Sequence, residues 1–350
     1  MPYESPYASP NHLLPVVAPD WTPQWGMTRE HALAIPAVSR ARLVICSTVA
    51  RVPLVARRGG TILTGTDRPT WIDRTDGPVS PYHRMLGTVD DLLFYGWSLW
   101  AVERDSLGRV IAADRLPWDA WQFDAEGTIT WSADDGTPAA PVDPDSVVLI
   151  PGSTAGILSE AVPALEHARD LLAAAGKAAA APAAHIDLHQ TNDAPMTEAE
   201  INRLVSRWVA ARRGENGGVA FSSSGIEVRE LGAYDAHLLV EGRNAAAVDI
   251  ARATGVPASV LDATTPTASL NYETREGRAA ELVDYCLTAF MAPIAARLGM
   301  DDVVPRGTSV EFDVDAVFSS SAVAPPDDDN TPPRPAATPT PAPRKVTPDA

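Results

Sequence analysis

The sequence has 350 residues, 45% hydrophobic and 21% charged, enough apolar material for a sizeable core and for two or three structural units. Its formal net charge of −17 argues against a protein that grips nucleic acid by neutralising phosphates, though not against one past which DNA slides. No unbroken run of about 18 apolar residues occurs, and residues 1–23 lack the basic start and apolar stretch of a secretory signal, so neither a membrane span nor export is expected.

In the first 27 residues, Pro2, Pro6, Pro10, Pro15, Pro19 and Pro23 interrupt every potential helical turn. Trp21 and Trp25 lie on this extended arm and need a surface to cover them, either the chain's own body or a neighbouring subunit. A helix is expected from Pro36, with Val38, Ala41, Ile45, Thr48 and Val52 on one face and Pro53 as its stop. A second should run over 81–97, with Met85, Val89, Leu92 and Leu93 inward. Strands over 99–104, 109–116, 118–124, 128–132 and 146–150, separated by short turn sequences, predict a meander.

Residues 160–181 form an alanine-rich helix, weakened at Gly176 by about 1 kcal/mol relative to alanine, whose small side chains suit close packing beside another helix. A small α/β unit follows: strand 185–189, helix 197–212 opened by a Thr197/Glu200 capping box, and strands 218–222 and 226–231. Asp235 caps a helix that Gly255 and Pro257 end. Polar linker 262–269 leads to a long helix over 270–298 that Pro293 should bend, and then to a strand over 309–318. From Ser319 the composition is too rich in proline and aspartate to bury a core, so the tail is expected to be disordered.

Candidate chemistry is thin. Gly152-Ser153-Thr154-Ala155-Gly156 sits where a nucleophile elbow would, but threonine holds the centre, and a flexible strand-to-helix joint is the better reading. His185 and His189 lie on a strand, so they stand some 13 Å apart rather than converging on a metal. Glu311, Asp313 and Asp315 read as a solvated strand face. There is no phosphate-binding G-x-x-x-x-G-K-[ST] loop, and two distant cysteines, Cys46 and Cys286, fit buried reduced thiols. Arg203, Arg207, Arg212 and Arg213 cluster on one short helix, as a solvated face or a contact for DNA or a partner. No cofactor, metal or catalytic group is expected.

Several stretches resemble the phage portal protein family. Gly217-Gly218-Val219-Ala220-Phe221 and Gly225-Ile226-Glu227-Val228 are similar to its paired clip strands. Glu241-Gly242-Arg243 and the run from Asp249 through Ile250-Ala251-Arg252-Ala253-Thr254-Gly255-Val256-Pro257 resemble a family helix with its Gly-Val-Pro ending. Ser259-Val260-Leu261, Ser269-Leu270-Asn271-Tyr272-Glu273 and Met291-Ala292-Pro293-Ile294 resemble the start and the proline bend of its long helix, and Val38 to Pro53 its first helix. The resemblance covers most of residues 29–318 and departs in a loosened Ser-Tyr motif and in the absence of a helical segment after the final strand.

The resemblance implies an α+β, portal-like fold: an N-terminal arm (1–28), an α/β wing (29–157), antiparallel stem helices (158–184 and 233–258) and a small α/β clip (185–232). It further implies a tunnel loop (259–269), a long tunnel-side helix (270–300), a wing return strand (301–318) and a tail (319–350), with the crown reduced or absent. The implied function is a ring, commonly of about twelve copies of the chain, at one capsid vertex, which conducts double-stranded DNA during packaging and ejection. Implied partners are the major capsid protein, the terminase large subunit, a head–tail adaptor and DNA passing without sequence preference, in the virion and, during assembly, the host cytoplasm. Thr264, Thr265, Thr267 and Ser269, with Arg275 and Arg278 behind them, would face the channel; Trp21 and Trp25 would form an intersubunit arm. The alternatives are an alanine-rich soluble enzyme or a head–tail adaptor, from which a large closed ring would separate the portal reading.

Overall fold

The computed structural model describes residues 26–124, 127–131, 139–180, 185–193, 195–212, 225–231, 236–261 and 275–318. Helix α1 (Arg29–Leu33) is capped by Thr28, whose hydroxyl accepts from the His31 N–H at 3.3 Å. In α2 (Pro36–Arg51) Val38, Ala41 and Ile45 are buried as their spacing predicted, but the stripe continues through Cys46 and Val49, Thr48 being only half-buried, and the buried Val52 caps the helix. Strands β1 (Leu54–Arg58) and β2 (Thr61–Ile62) and the single turn α3 (Thr70–Asp73) follow. Helix α4 (Pro81–Tyr95) packs on α2 and ends at Gly96, which takes φ 77° and donates to Leu92 O; the expected end lay one residue further on.

The expected single meander is two sheets. β3 (Trp97–Arg104) pairs antiparallel with β4 (Val110–Arg115) on one side and with β8 (Val147–Pro151) on the other. Both edges of β3 are therefore taken, and the chain between them builds its own ladder, β5 (Trp121–Phe123), β6 (Ile129–Trp131) and β7 (Ala140–Pro141). Trp97, Trp121, Ile129 and Leu149 form a small core between the two. Every strand pair among the described residues is antiparallel, so α+β describes the body, and the α/β expectation for residues 29–157 does not hold.

After α5 (Ile157–Glu160), the long α6 (Val162–Ala180) and α8 (Ala236–Thr254) lie side by side, Leu171 against Gly242. Between them in sequence come β9 (His185–Gln190), α7 (Glu198–Arg212) and β10 (Ile226–Leu231), β9 and β10 forming an antiparallel hairpin. Thr254 ends α8, and Gly255 turns the chain with φ 71°, as expected.

The long C-terminal helix is described from Arg275 and is irregular: α9 (Arg275–Leu282), a π turn (Val283–Leu287) and α10 (Thr288–Leu298). The irregularity thus lies upstream of Pro293, which stays inside α10. Lacking an N–H, Pro293 gives the Ala289 carbonyl no helical partner, and the Ser153 hydroxyl donates to that oxygen at 2.8 Å instead. By length and composition Ala279–Leu298 is apolar enough to cross a membrane. Its buried Cys286, Leu287, Met291, Ile294 and Leu298 instead lie in the core with α2 and α4, and Asp284 is exposed.

The final strand is shorter than expected. β11 (Thr308–Phe312) pairs with β1, Leu54 opposite Phe312 and Arg58 opposite Thr308, and residues 315–318 form a helical turn, α11 (Asp315–Phe318). Asp313 accepts from the Ala316 N–H at 3.2 Å and so caps that turn rather than extending the strand.

Polar side chains pin this body from inside. The Arg297 guanidinium is buried, donating to Leu149 O at 2.9 Å and to both Asp302 carboxylate oxygens, which ties α10 to β8. Asp91 is buried under a two-pronged Arg115 contact and accepts from Ser98 Oγ at 2.9 Å. Burial pushes its carboxyl up to about 6 against the pull of Arg115. Neighbouring Asp90 joins Arg29 and Arg42.

Candidate partner surfaces and channel segment

The segment 152–156 is no flexible joint. Gly156 has φ 84°, and a side chain on it would fall on the backbone of Phe94 and Gly96; one on Gly96 would fall on Thr154 and Ala155. Two glycines let two turns touch backbone to backbone, and the Gly152 N–H donates to Gly96 O at 2.7 Å. Ser153 is engaged with Ala289, and the Ala155 N–H donates to Glu160 Oε1 at 2.8 Å, so the segment is a structural clasp rather than a nucleophile elbow.

The other enzymatic candidates are also spoken for. His185 and His189 are on β9, as the strand reading expects, opposite Leu231 and Glu227. Glu311 pairs with Arg57 at 3.0 Å and accepts from Ser309. Among the described residues, no group of three or more His, Cys, Asp or Glu side chains is placed to hold a metal. Cys46 and Cys286 are buried, and burial pushes both thiols up, that of Cys286 to about 12.

The hairpin and α7 form the most exposed part of the described chain. At the start of α7, Glu200 accepts from the Thr197 N–H at 2.9 Å and from the Thr197 hydroxyl at 2.7 Å, bonds that hold its carboxyl below the usual range. Arg203 and Arg207 are exposed on this helix. On the opposite side Ile201, Val205 and Val209, four residues apart and so on one face, are 46%, 46% and 42% exposed. Only Ala211 of α7 is buried among the residues whose side chains are described, and the Trp208 indole N–H is buried without a hydrogen-bond partner. An isolated helix of this length is marginal in water, and α7 presents an exposed apolar stripe on one side and exposed guanidinium groups on the other.

The remaining predicted site residues are only partly placed. Arg212 closes α7, and Arg275 and Arg278 stand in α9, but the description of their side chains stops at the backbone. Thr264, Thr265, Thr267, Ser269, Arg213, Trp21 and Trp25 lie outside the described residues, as do strand 218–222 and the tail from 319. The structure therefore places Arg203 and Arg207 on one side of α7 and an exposed apolar stripe on the other. The stripe was legible as Ile201, Val205 and Val209 at helical spacing, but spacing alone does not tell a buried face from an exposed one.

Comparison with known proteins agrees with this architecture. The family model described as phage portal protein matches residues 36–324. The chain is 40% identical to an HK97 family phage portal protein from Corynebacterium diphtheriae, over 84% of this chain and 98% of that one, with a TM-score of 0.68. Chains from the neck of the empty gene transfer agent particle (TM-score 0.60, 87% of this chain and 90% of that one) and of the native particle (0.61, 85% and 86%) share the fold at 16% identity. A search of curated proteins found no match. The chain belongs to the phage portal protein family.

Proposed function

We propose that the chain assembles into a ring at one capsid vertex, through which double-stranded DNA is packaged and later ejected, and onto which the packaging motor and then a head–tail adaptor dock. The observation that carries this reading is the 40% identity to a phage portal protein along 84% of the chain, within one matching fold. Support comes from the hairpin and α7 inserted between two helices that pack on each other, an arrangement that leaves the insert with little cover from its own chain. On this reading the body is the wing, α6 and α8 are the stem, and β9, α7 and β10 belong to the clip. No bond chemistry is part of the function.

The test is the mass and class-averaged shape of the purified full-length protein, alone and co-expressed with its capsid partners. A closed ring with a central channel, of about twelve copies, is expected; a compact monomer or dimer under both conditions would overturn the reading.

Two residue-level expectations follow from it. Reversing both exposed clip charges (Arg203→Glu with Arg207→Glu) should leave ring formation intact and lower packaging yield by roughly tenfold or more, as loss of about 1.4 kcal/mol or more of docking energy implies. Equal yields from the double variant and the parent would remove these arginines from partner binding. We also propose that Thr264, Thr265, Thr267 and Ser269, with Arg275 and Arg278 behind them, line the channel. Their short polar groups would keep DNA mobile, where dense phosphate pairing would hold it. Replacing residues 264–267 by Gly-Ser should impair packaging or genome retention, and unchanged values of both would refute that role.

A further inference from the structure

A groove of about 550 Å³ opens where the start of α2 meets α6 and α8. Its walls are apolar: Ile35, Pro36 and Ala37 on one side, Leu172 of α6, and Val240 and Ala247 of α8. Val240 is 66% exposed and extends this apolar lining to the surface. Arg40 and Arg243 also line the groove, and neither has an ion-pair partner among the described residues. The groove is thus apolar within and positively charged along its border.

We propose that the N-terminal arm of the same chain fills this groove, with Trp21 seated among Leu172, Val240 and Ala247 and Asp20 beside Arg40 or Arg243.

Three observations select this occupant. The first is position. The described chain begins at Gly26, packed so closely on Val162, the first residue of α6, that a β-carbon on Gly26 would stand 2.6 Å from Val162 Cγ1. Leu172 lies ten residues along that helix, or about 15 Å at 1.5 Å per residue. Trp21 stands five residues before Gly26, and an extended chain of that length reaches about 17 Å, so the groove is within range of the chain's own arm.

The second is composition. Between them, Trp21 and Trp25 supply the large flat apolar groups that such a groove takes up, whereas residues 319–350 contain no aromatic side chain. The third is charge. Residues 1–25 carry Glu4 and Asp20 and no lysine or arginine, which complements two unpaired guanidinium groups. Docked there, the arm would tie the start of α2 to the α6–α8 pair, and it would do so whether or not the chain closes into a ring.

The test is a disulfide between Thr22→Cys, beside the intact Trp21, and Ala247→Cys in the full-length protein, formed with oxidised glutathione and read on a non-reducing gel. The native Cys46 and Cys286 are buried and do not compete. The expected result is a link within one chain, at least about tenfold above the pair Thr22→Cys with Leu107→Cys and unchanged by about hundredfold dilution, as an intramolecular reaction requires. Leu107 is a suitable control because it is 74% exposed on the turn between β3 and β4. Arg243→Glu should lower the yield.

Links between chains, read as dimers and higher multimers on the gel, would assign the arm to a neighbouring subunit and overturn the proposal, as would a yield no higher than the control pair. If Ala247→Cys does not fold when reduced, as judged by its melting curve, Val240→Cys repeats the test at a position that already faces solvent. Ring formation is scored separately on the same samples, so loss of the ring and loss of the link are told apart.

Discussion

Replacing Gly156 with valine is expected to cost about 2–5 kcal/mol of folding stability, the sum of about 1–2 kcal/mol for a left-handed backbone on a residue with a β-carbon and about 1–3 kcal/mol for overpacking. The second contribution sits at the upper end because the obstacles are main-chain atoms of Phe94 and Gly96, which have no rotamer to change. The end of α4 would have to part from the loop after β8, and the Gly152–Gly96 hydrogen bond would go with it. Gly108→Ala is the control. It shares the positive φ, at 76°, but has nothing within 4 Å of the added carbon, so it should cost only the backbone contribution of about 1–2 kcal/mol. Urea unfolding of the two variants beside the parent decides it, and equal midpoints for both would show that the clasp yields.

Arg84→Met is expected to destabilise the body by about 3–5 kcal/mol. Arg84 is buried, donating to Ala113 O at 2.6 Å and to Trp71 O and Ile72 O at 2.8 and 3.2 Å. Its guanidinium lies over the Trp100 ring at 4.9 Å, while the Trp100 indole N–H donates to Thr88. Burial pulls its pKa down, partly countered by the more distant Asp114 and Asp73. Methionine fills much of the volume but takes the donor from three carbonyls, at about 1–3 kcal/mol for each left unsatisfied. Removing a costly buried charge offsets part of this. Arg84→Lys should recover only a fraction, because one ammonium does not reproduce a planar fork that reaches α3 and β4 together. Thermal unfolding of the three proteins gives the order; a lysine variant as stable as the parent would show that charge, not geometry, matters here.

The elements that the sequence announced are those whose signals are local. Pro36 with Val38, Ala41 and Ile45, the Thr197/Glu200 cap, and Gly255 after Thr254 each carry their own start, face or stop, and the structure forms them where expected. β1 escaped notice because LVARR is short and half-charged, and only β11, some 250 residues later, gives it a partner. The same pairing explains why strand 309–318 was overdrawn: β1 offers five residues of ladder, and Asp313 then caps a turn.

The candidate site divides the same way. Arg203 and Arg207 were visible as a charge cluster on a helix, whereas the exposure of the apolar stripe on its other side was not, because helical spacing does not say what lies opposite. Asp90 and Asp91 sit between Val89 and Leu92 in the sequence, a doublet of carboxylates on an apolar face, and that was a readable sign of arginine partners, which are the half-buried Arg29, Arg42 and Arg115.

By itself the sequence determined which segments are helical, where most of them stop, and, through its motifs, the family to which the chain belongs. Only the tertiary structure decided which strands share a sheet, that Gly96 and Gly156 touch, that Ser153 serves the carbonyl Pro293 leaves unbonded, and that a groove opens between α2, α6 and α8. The physical reason is range: caps, turns and periodic faces are settled within a few residues, whereas a ladder partner, a backbone contact or a groove wall is set by residues tens to hundreds of positions away.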